Sequence, residues 1–215
     1  MKVFEKTEKM LAPENATLDT VIANLAEFAD VSAHESFRSC WMSFERLSVH
    51  WESVDQAAEE RETVGGEASL VYLFDLASRG TDLVTEQASE KERELLRSLR
   101  VVDDQPAGGN GTFAAVRLVD RKLMPDVWFF DIRTGIHALD VNYCDYLDAL
   151  ITTKGGYGWQ YLYADIDLTK PEQRMVRERL TNLLAFLASA FPDVDYSALQ
   201  ERFDARTARR ARGRH

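Results

Sequence analysis

The stretch from residue 128 to residue 167 constrains the fold more than any other part of this 215-residue chain. Nine aromatic residues lie between positions 128 and 163, in an ordered pattern of apolar runs and breaks. Two apolar runs flank Arg133-Thr134-Gly135, which predicts a β-hairpin. A helical pattern rich in tyrosine follows, and a glycine pair separates it from a third apolar run at 159–166. The stretch therefore predicts the order strand, turn, strand, helix and strand.

The first hundred residues are predicted to be mostly helical. Residues 3–7 are expected to form a short edge strand or an arm. Thr17 is a suitable N-cap, and apolar residues at helical spacing follow it. A second helix is predicted over 33–51 with a charged continuation at 56–62, and the apolar run 70–74 slightly favours a helix over a strand.

Capping signals predict further helices along the chain. Ser89 and Glu92 have the spacing of a capping box, which predicts a helix that continues to residue 100. A loop rich in glycine then leads to a strand at 112–119. Thr169 and Glu172 repeat the capping-box spacing ahead of a helix with a leucine stripe, and a short last helix is expected after Pro192.

These patterns predict a mostly helical N-terminal part followed by a part that contains both strands and helices. The helical part is placed at about 17–100 and the sheet-containing part at about 110–195. Both parts are expected to belong to a single domain over residues 1–200. Residues 201–215 are expected to form a basic C-terminal tail.

The charge balance limits the kinds of partner. The net charge of −10 argues against nucleic-acid binding, because phosphate contacts need clustered Lys and Arg, and it suits a basic partner. From residue 201 the chain carries six arginines and two acids, a local charge of +4, which leaves −14 on the first 200 residues. This tail is predicted to be a solvated terminus. Alternatively, it could contact nucleic acid or fold back on the first 200 residues, which are called the acidic body below.

Cysteine usage and hydropathy suggest a compartment. Cys40 and Cys144 are far apart and form no CxxC pattern, which predicts two buried, reduced thiols as in a cytosolic protein. The first 15 residues carry charges throughout and lack the apolar core of a signal peptide. No apolar run reaches the roughly 18 residues of a membrane span. The chain is therefore expected to be soluble, cytoplasmic and free of membrane contacts.

No motif in the chain predicts catalysis or cofactor binding. The glycine cluster at 108–111 precedes a strand and lacks the GK[ST] ending of a phosphate-binding loop, so it is interpreted as a hairpin. None of the four histidines has a partner at metal-ligand spacing. There is also no GxSxG nucleophile motif. The chain is therefore predicted not to be an enzyme and to bind neither a cofactor nor a metal.

Aspartates concentrate in the aromatic stretch. If the two hairpin strands pair around the turn, Asp131 and Asp140 are expected towards the same end of the sheet. Asp165 and Asp167 are two residues apart on the predicted third strand and would point to one face. Paired carboxylates can do acid–base work or hold a divalent ion. They can equally be solvated caps at the ends of strands and helices.

Exposed acids beside aromatic rings can also bind a basic protein, with the rings as anchors and the acids steering the approach. This interpretation suits the context better than the other two. It names eight candidate partner-binding residues: Asp131, Asp140, Asp145, Asp148, Tyr157, Trp159, Asp165 and Asp167.

Several segments between residues 124 and 167 resemble one known family. They are the WFFD run with its RTG turn, Leu139-Asp140, the YLDALI helix at 146–151 and YGWQYL at 157–162. In this order they are similar to the C-terminal part of bacterial proteins in the SUKH superfamily. That superfamily groups fungal regulators of cell-wall glucan synthesis with bacterial immunity proteins.

The resemblance implies an α+β fold, with a mixed or antiparallel sheet flanked by helices after the mostly helical N-terminal part. It also implies a non-enzymatic role, in which the protein binds a partner, often a toxin, and blocks its activity. The first hypothesis is therefore an immunity-like protein that neutralises a basic toxin domain. One alternative is a metal-dependent hydrolase that uses Asp131, Asp140, Asp165 or Asp167. The other is a regulatory scaffold that binds several partners weakly, as the fungal relatives suggest.

Overall fold

A computed structural model gives the structure of most of the chain. It describes residues 2–10, 17–42, 44, 46–54, 63–78, 80–81, 89–105, 109 and 111–208. Eight strands are present in these ranges: β1 (Lys2–Met10), β2 (Ser32–Ala33), β3 (Arg46–Val54), β4 (Gly65–Val71), β5 (Leu99–Asp104), β6 (Thr112–Val119), β7 (Lys122–Asp131) and β8 (Gly135–Asn142).

The same ranges contain α-helices and shorter 3₁₀ helices. The α-helices are α1 (Leu18–Ala29), α2 (Glu90–Ser98), α3 (Tyr143–Thr153), α4 (Arg174–Ala190) and α5 (Ser197–Thr207). The 3₁₀ helices are Glu35–Cys40, Leu73–Ala77, Trp159–Leu162 and Pro171–Gln173. None of the helices in these ranges combines the length and the apolar character that a bilayer crossing requires.

The eight strands form one mixed sheet. Strands β1, β3, β4, β5, β6 and β7 lie side by side in this order, and each neighbouring pair is antiparallel. The far edge of β7 pairs with β8 in antiparallel fashion and with the short β2 in parallel fashion. The α+β class is therefore confirmed. Strands from both halves of the chain contribute to this sheet.

In its described residues the N-terminal part is not clearly mostly helical, and the helix expected over 33–51 is wrong. Among the described residues of that range only Glu35–Cys40 is helical, and β3 follows. Leu47, Val49 and Trp51 share one face of β3 because they are two residues apart. The run at 70–74 is likewise divided between the end of β4 and a 3₁₀ helix. The continuation expected at 56–62 lies outside the described residues.

Elements with strong local signals form as expected. The Thr17 hydroxyl accepts a hydrogen bond from the Thr20 backbone N–H at 3.2 Å and caps α1. Ser89 and Glu92 form a complete capping box at the start of α2. The strand expected at 112–119 is β6, and the hairpin turn joins β7 to β8. The expected edge strand is β1, which is longer than predicted.

The third strand expected at 159–166 is wrong. All four residues of Trp159–Leu162 are buried in a 3₁₀ helix, and a single bridge between Leu139 and Ala164 is the only strand-like pairing of this segment. A short apolar run does not distinguish a buried strand from a buried helical turn.

The capping box expected at Thr169 and Glu172 is also wrong. Thr169 instead donates from its hydroxyl and its backbone N–H to the Asp167 carboxylate, at 2.6 and 3.0 Å. Pro171 then opens a 3₁₀ helix, and α4 begins at Arg174. The four leucines of its predicted stripe are buried, namely Leu180, Leu183, Leu184 and Leu187. Val176 and Phe191 were predicted to join the stripe, but Val176 is only partly buried and Phe191 is 37% exposed. The last helix, α5, is present after Pro192.

Helix α3 crosses one face of the sheet. It starts directly after β8, and its C-terminal loop reaches β4, where the Glu67 N–H donates to Gly155 O at 2.9 Å. The rings of Tyr146 and Trp159 are both fully buried in this layer, with centroids 4.9 Å apart. A side chain at Gly156 would collide with Leu183 of α4, so the loop needs glycine at this close approach.

A disulfide between Cys40 and Cys144 ties the 3₁₀ helix Glu35–Cys40 to the first turn of α3. The expectation of two reduced thiols is therefore wrong. The pair was not recognisable because 104 residues separate the two cysteines and only the packing of the 3₁₀ helix against α3 brings them together. The argument for a cytoplasmic location from reduced thiols no longer holds, since disulfides are typical of oxidising compartments.

Removal of this disulfide is expected to destabilise the fold. The bond closes a loop of 104 residues, and the double substitution Cys40→Ser and Cys144→Ser restores the entropy of the open loop to the unfolded chain. The free energy of unfolding should fall by about 2–5 kcal/mol, as measured by urea denaturation. Dithiothreitol should lower the urea concentration at the unfolding midpoint of the wild type. It should leave the midpoint of the double variant unchanged. An unchanged wild-type midpoint on reduction would contradict the disulfide.

Candidate functional site

The exposed face of α3 carries two of the predicted site residues. Asn142 caps the helix, because its side-chain oxygen accepts from the backbone N–H groups of Cys144 and Asp145 at 2.8 and 3.1 Å. Asp145 and Asp148 are exposed and three residues apart, so they are neighbours on the helix surface. The opposite side of the helix is buried and contributes Tyr143, Tyr146, Leu147 and Leu150 to the core.

Asp145 and Asp148 differ in their local contacts. The Asn142 amide donates to the Asp145 carboxylate at 2.7 Å, and the first-turn position of Asp145 favours a negative charge near the helix N-terminus. The Asp148 carboxylate has no ion pair or hydrogen bond with any described residue. It is therefore the more available of the two charges.

Asp131 is buried and holds the hairpin turn. Its carboxylate accepts from the Arg133 backbone N–H and guanidinium at 2.8 and 3.0 Å, and from the Tyr161 hydroxyl at 2.8 Å. The Thr134 hydroxyl lies between the Tyr161 hydroxyl at 2.7 Å and the His137 ring at 3.0 Å. Burial raises the pKa of Tyr161 and lowers that of His137, which disfavours the charged form of both side chains. Asp131 is consequently not available to a partner.

Asp140 and Asp165 are occupied by arginines of α5. Arg202 donates to both oxygens of Asp140 at 2.9 and 2.7 Å, and its guanidinium lies 4.2 Å from the centre of the Tyr163 ring. Arg206 lies 3.6 Å from Asp140 and 3.3 Å from Asp165. The described start of the basic tail thus folds back on the acidic body. Residues 209–215 of the tail lie outside the described part.

The expected pairings of aspartates are wrong. Asp131 pairs with Gly135 at the turn, whereas Asp140 lies near the other end of the hairpin, so the two are not neighbours. Asp165 and Asp167 do not lie on a strand. In the described ranges no three His, Cys, Asp or Glu side chains are grouped as a metal site would need. The alternative of a metal-dependent hydrolase has no ligand set in this part of the chain.

The two predicted aromatic anchors have different environments. Trp159 is 0% exposed and belongs to the core, so its assignment to a binding surface is wrong. Tyr157 is partly buried beside α4, and its hydroxyl lies 3.5 Å from the Glu67 carboxylate, to which it donates. Burial and the charges of Glu67 and Glu52 raise the pKa of Tyr157 to about 12.

A buried carboxylate beneath α3 was not predicted. Asp103 of β5 is 2% exposed and accepts from the Tyr146 hydroxyl at 2.7 Å and the Ser69 backbone N–H at 2.8 Å. Burial raises the pKa of Asp103 to about 7, although both hydrogen bonds oppose the shift. Its sequence neighbourhood of acids, proline and glycines is typical of a loop, and only the position of β5 between β4 and β6 shows that Asp103 is interior.

An apolar groove also flanks α3 and was not predicted. It has a volume of about 280 Å³ and lies between the helix and strands β3 and β4. Its walls are formed by Met42, Leu47, Val49, Ala68, Leu70, Leu147, Leu150, Ile151, Lys154 and Gly155. The period of two in β3 was the signal that could have revealed its floor, but the same residues also fit a helical pattern.

No protein family, curated protein or solved structure matches this chain. The resemblance of residues 124–167 to SUKH proteins is therefore supported by the quoted segments alone. Contacts, burial and charge of the described residues are the remaining basis for a functional assignment.

The buried Asp103 is expected to make stability depend on pH. Its pKa rises from 3.8 to about 7 on folding, so the folded state binds the additional proton between these values. The free energy of unfolding should therefore fall as the pH rises from about 4 to about 7, by roughly 1.4 kcal/mol per unit of pKa difference. Urea denaturation across this range measures the slope.

Asp103→Asn is the matched variant, because the amide keeps the shape of the side chain and does not titrate. The wild type should lose stability relative to this variant as the pH rises. Tyr146→Phe should extend the loss to higher pH, since it removes a hydrogen bond that favours the charged carboxylate. If the free energy of unfolding changed with pH in the same way in the wild type and in Asp103→Asn, the raised pKa of Asp103 would be contradicted.

Proposed function

We propose that this protein is a non-enzymatic binding module that recognises a basic protein partner through the exposed face of α3. The resemblance to SUKH immunity proteins suggests the kind of partner, a toxin domain whose activity is blocked by binding. The observation that carries the proposal is the position of Asp145 and Asp148, which lie side by side and exposed on this helix.

The other predicted acids are engaged within the protein. Asp131 holds the hairpin turn, Asp140 and Asp165 bind α5, and Asp167 accepts from Thr169. The charge of Asp148 has no such use among the described residues. A partner can therefore approach this face without first breaking an ion pair between Asp148 and any described residue.

The overall charge supports a basic partner. The first 200 residues carry −14, and a charge of this size steers a positively charged protein during encounter. Nuclease domains present basic clefts to their nucleic-acid substrates. An acidic protein that occupies such a cleft blocks the substrate by charge and by volume.

Helix α3 is a rigid platform for such a contact. Its first turn is fixed by the Asn142 cap and the Cys40–Cys144 disulfide, and its inner face by the buried Tyr146. The acids are therefore held in place before binding. A preordered surface loses little conformational entropy on association, which favours affinity.

Charge reversal on α3 is expected to weaken the binding of the partner. The double variant Asp145→Lys and Asp148→Lys should bind its partner at least about tenfold more weakly, because close charge pairs across an interface contribute 1.5 kcal/mol or more. The immobilised protein is exposed to lysate of its own cells, captured proteins are identified by mass spectrometry, and the purified partner is titrated. Raised salt should weaken wild-type binding.

The matched control is Glu172→Lys with Asp193→Lys, which changes the net charge equally at two exposed acids outside α3. It should capture the same protein as the wild type. Circular dichroism checks the helix, since loss of Asp145 costs about 0.3–1 kcal/mol at the N-terminus. Equal weakening by both double variants, or no stoichiometric partner, would refute the proposal. Several weak partners would favour the scaffold hypothesis.

A further inference from the structure

The apolar groove beside α3 is a surface that the core packing leaves uncovered by any described residue. Leu147 and Leu150 form its inner wall and are buried, whereas Ile151 at its mouth is 59% exposed. On the floor, Leu47 and Val49 are only partly buried although they point towards the helix. The groove is therefore a concave apolar site that solvent reaches at Ile151 and along the partly buried Leu47 and Val49. Concave sites lined mainly by apolar side chains are typical binding sites.

The volume of the groove limits what can enter it. An apolar cavity of about 150 Å³ holds a benzene molecule. The groove measures about 280 Å³, so it accommodates about two side chains of ring or leucine size. Two such side chains lie on one face of a helix when they are three or four residues apart.

The charge beside the groove specifies what flanks these apolar residues. Asp148 lies three residues before Ile151, so it borders the groove mouth on the exposed side, and Asp145 continues the same edge. Lys154 lies at the other end, where its ammonium group is 5.2 Å from the centre of the Phe191 ring. The long edge is therefore acidic and complements basic residues.

We propose that this groove is the docking site for an amphipathic, basic helical segment of the partner, which inserts two apolar side chains while its Lys or Arg residues face Asp145 and Asp148. This inference rests on the proposed function and adds the apolar anchor to it. Helical segments bound in apolar grooves are commonly anchored by residues one turn apart.

Synthetic peptides test the chemistry of the occupant. The probe is a fluorescent amphipathic peptide of roughly 15 residues with leucines on one face and lysines on the other. Two matched peptides replace lysine by glutamate or leucine by serine. The leucine–lysine peptide should bind the full-length protein in fluorescence anisotropy, and both replacements should weaken binding by about tenfold or more, which corresponds to about 1.4 kcal/mol.

Two isoleucine variants test the location. Ile151→Gln removes the exposed apolar side chain at the groove mouth, and Ile132→Gln makes the same change at a 71% exposed residue of the hairpin turn. Because both side chains are largely exposed, both variants are expected to fold. Ile151→Gln should weaken peptide binding by about five- to tenfold. Ile132→Gln should leave it unchanged.

The outcomes separate this inference from the proposed function. Loss of peptide binding with Asp145→Lys and Asp148→Lys but not with Ile151→Gln would retain the acidic site and overturn the docking groove. If the peptide with serine in place of leucine bound as tightly as the leucine–lysine peptide, the docking groove would also be overturned and the acidic site retained. A dimer in analytical ultracentrifugation that Ile151→Gln dissociates would place a second copy of the chain in the groove. That result would overturn the proposed occupant.

Discussion

The packing of α3 across the sheet is the interaction on which the rest of the structure depends. The helix leaves β8, covers the central strands and delivers its C-terminal loop to β4. This path buries the Tyr146 hydroxyl, and a buried hydroxyl is costly unless it has a hydrogen-bond partner. Asp103 supplies that partner from β5, and its own burial raises its pKa to about 7. One hydrogen bond thus satisfies two buried polar groups and links the helix to the middle of the sheet.

The same packing decides which acids are available for binding. Asp140 and Asp165 neutralise two arginines of α5, and Asp131 holds the turn that places β8 next to α3. These acids have partners within the chain because the hairpin and α5 both lie close to α3. Among the predicted acids, Asp145 and Asp148 on the outward side of α3 form no ion pair with a described residue. The apolar groove opens along the same helix. The inner face of α3 therefore supports the fold, and its outer face is the candidate interface.

Part of the candidate site was predictable from residue types. The sequence predicted a helix after the hairpin and named Asp145 and Asp148 as candidates. The helical period alone places residues three apart on the same side of a helix. Trp159 was misplaced because an aromatic residue beside glycines is compatible with both a core and a surface. The alternation in β3 is a signal for the floor of the groove, but the groove itself depends on packing between segments about a hundred residues apart in the sequence.

The sequence by itself determined the elements whose signals are local: the Thr17 cap, the capping box of α2, the β7–β8 hairpin and α3. Caps and turns depend on hydrogen bonds between residues that are close in the sequence, so a short stretch of the chain is enough to predict them. Only the tertiary structure decided that Leu47, Val49 and Trp51 lie on a strand, that Trp159–Leu162 is a 3₁₀ helix and that Cys40 meets Cys144. These outcomes depend on which distant surface covers each apolar run, and that choice is made by the packing of the whole chain.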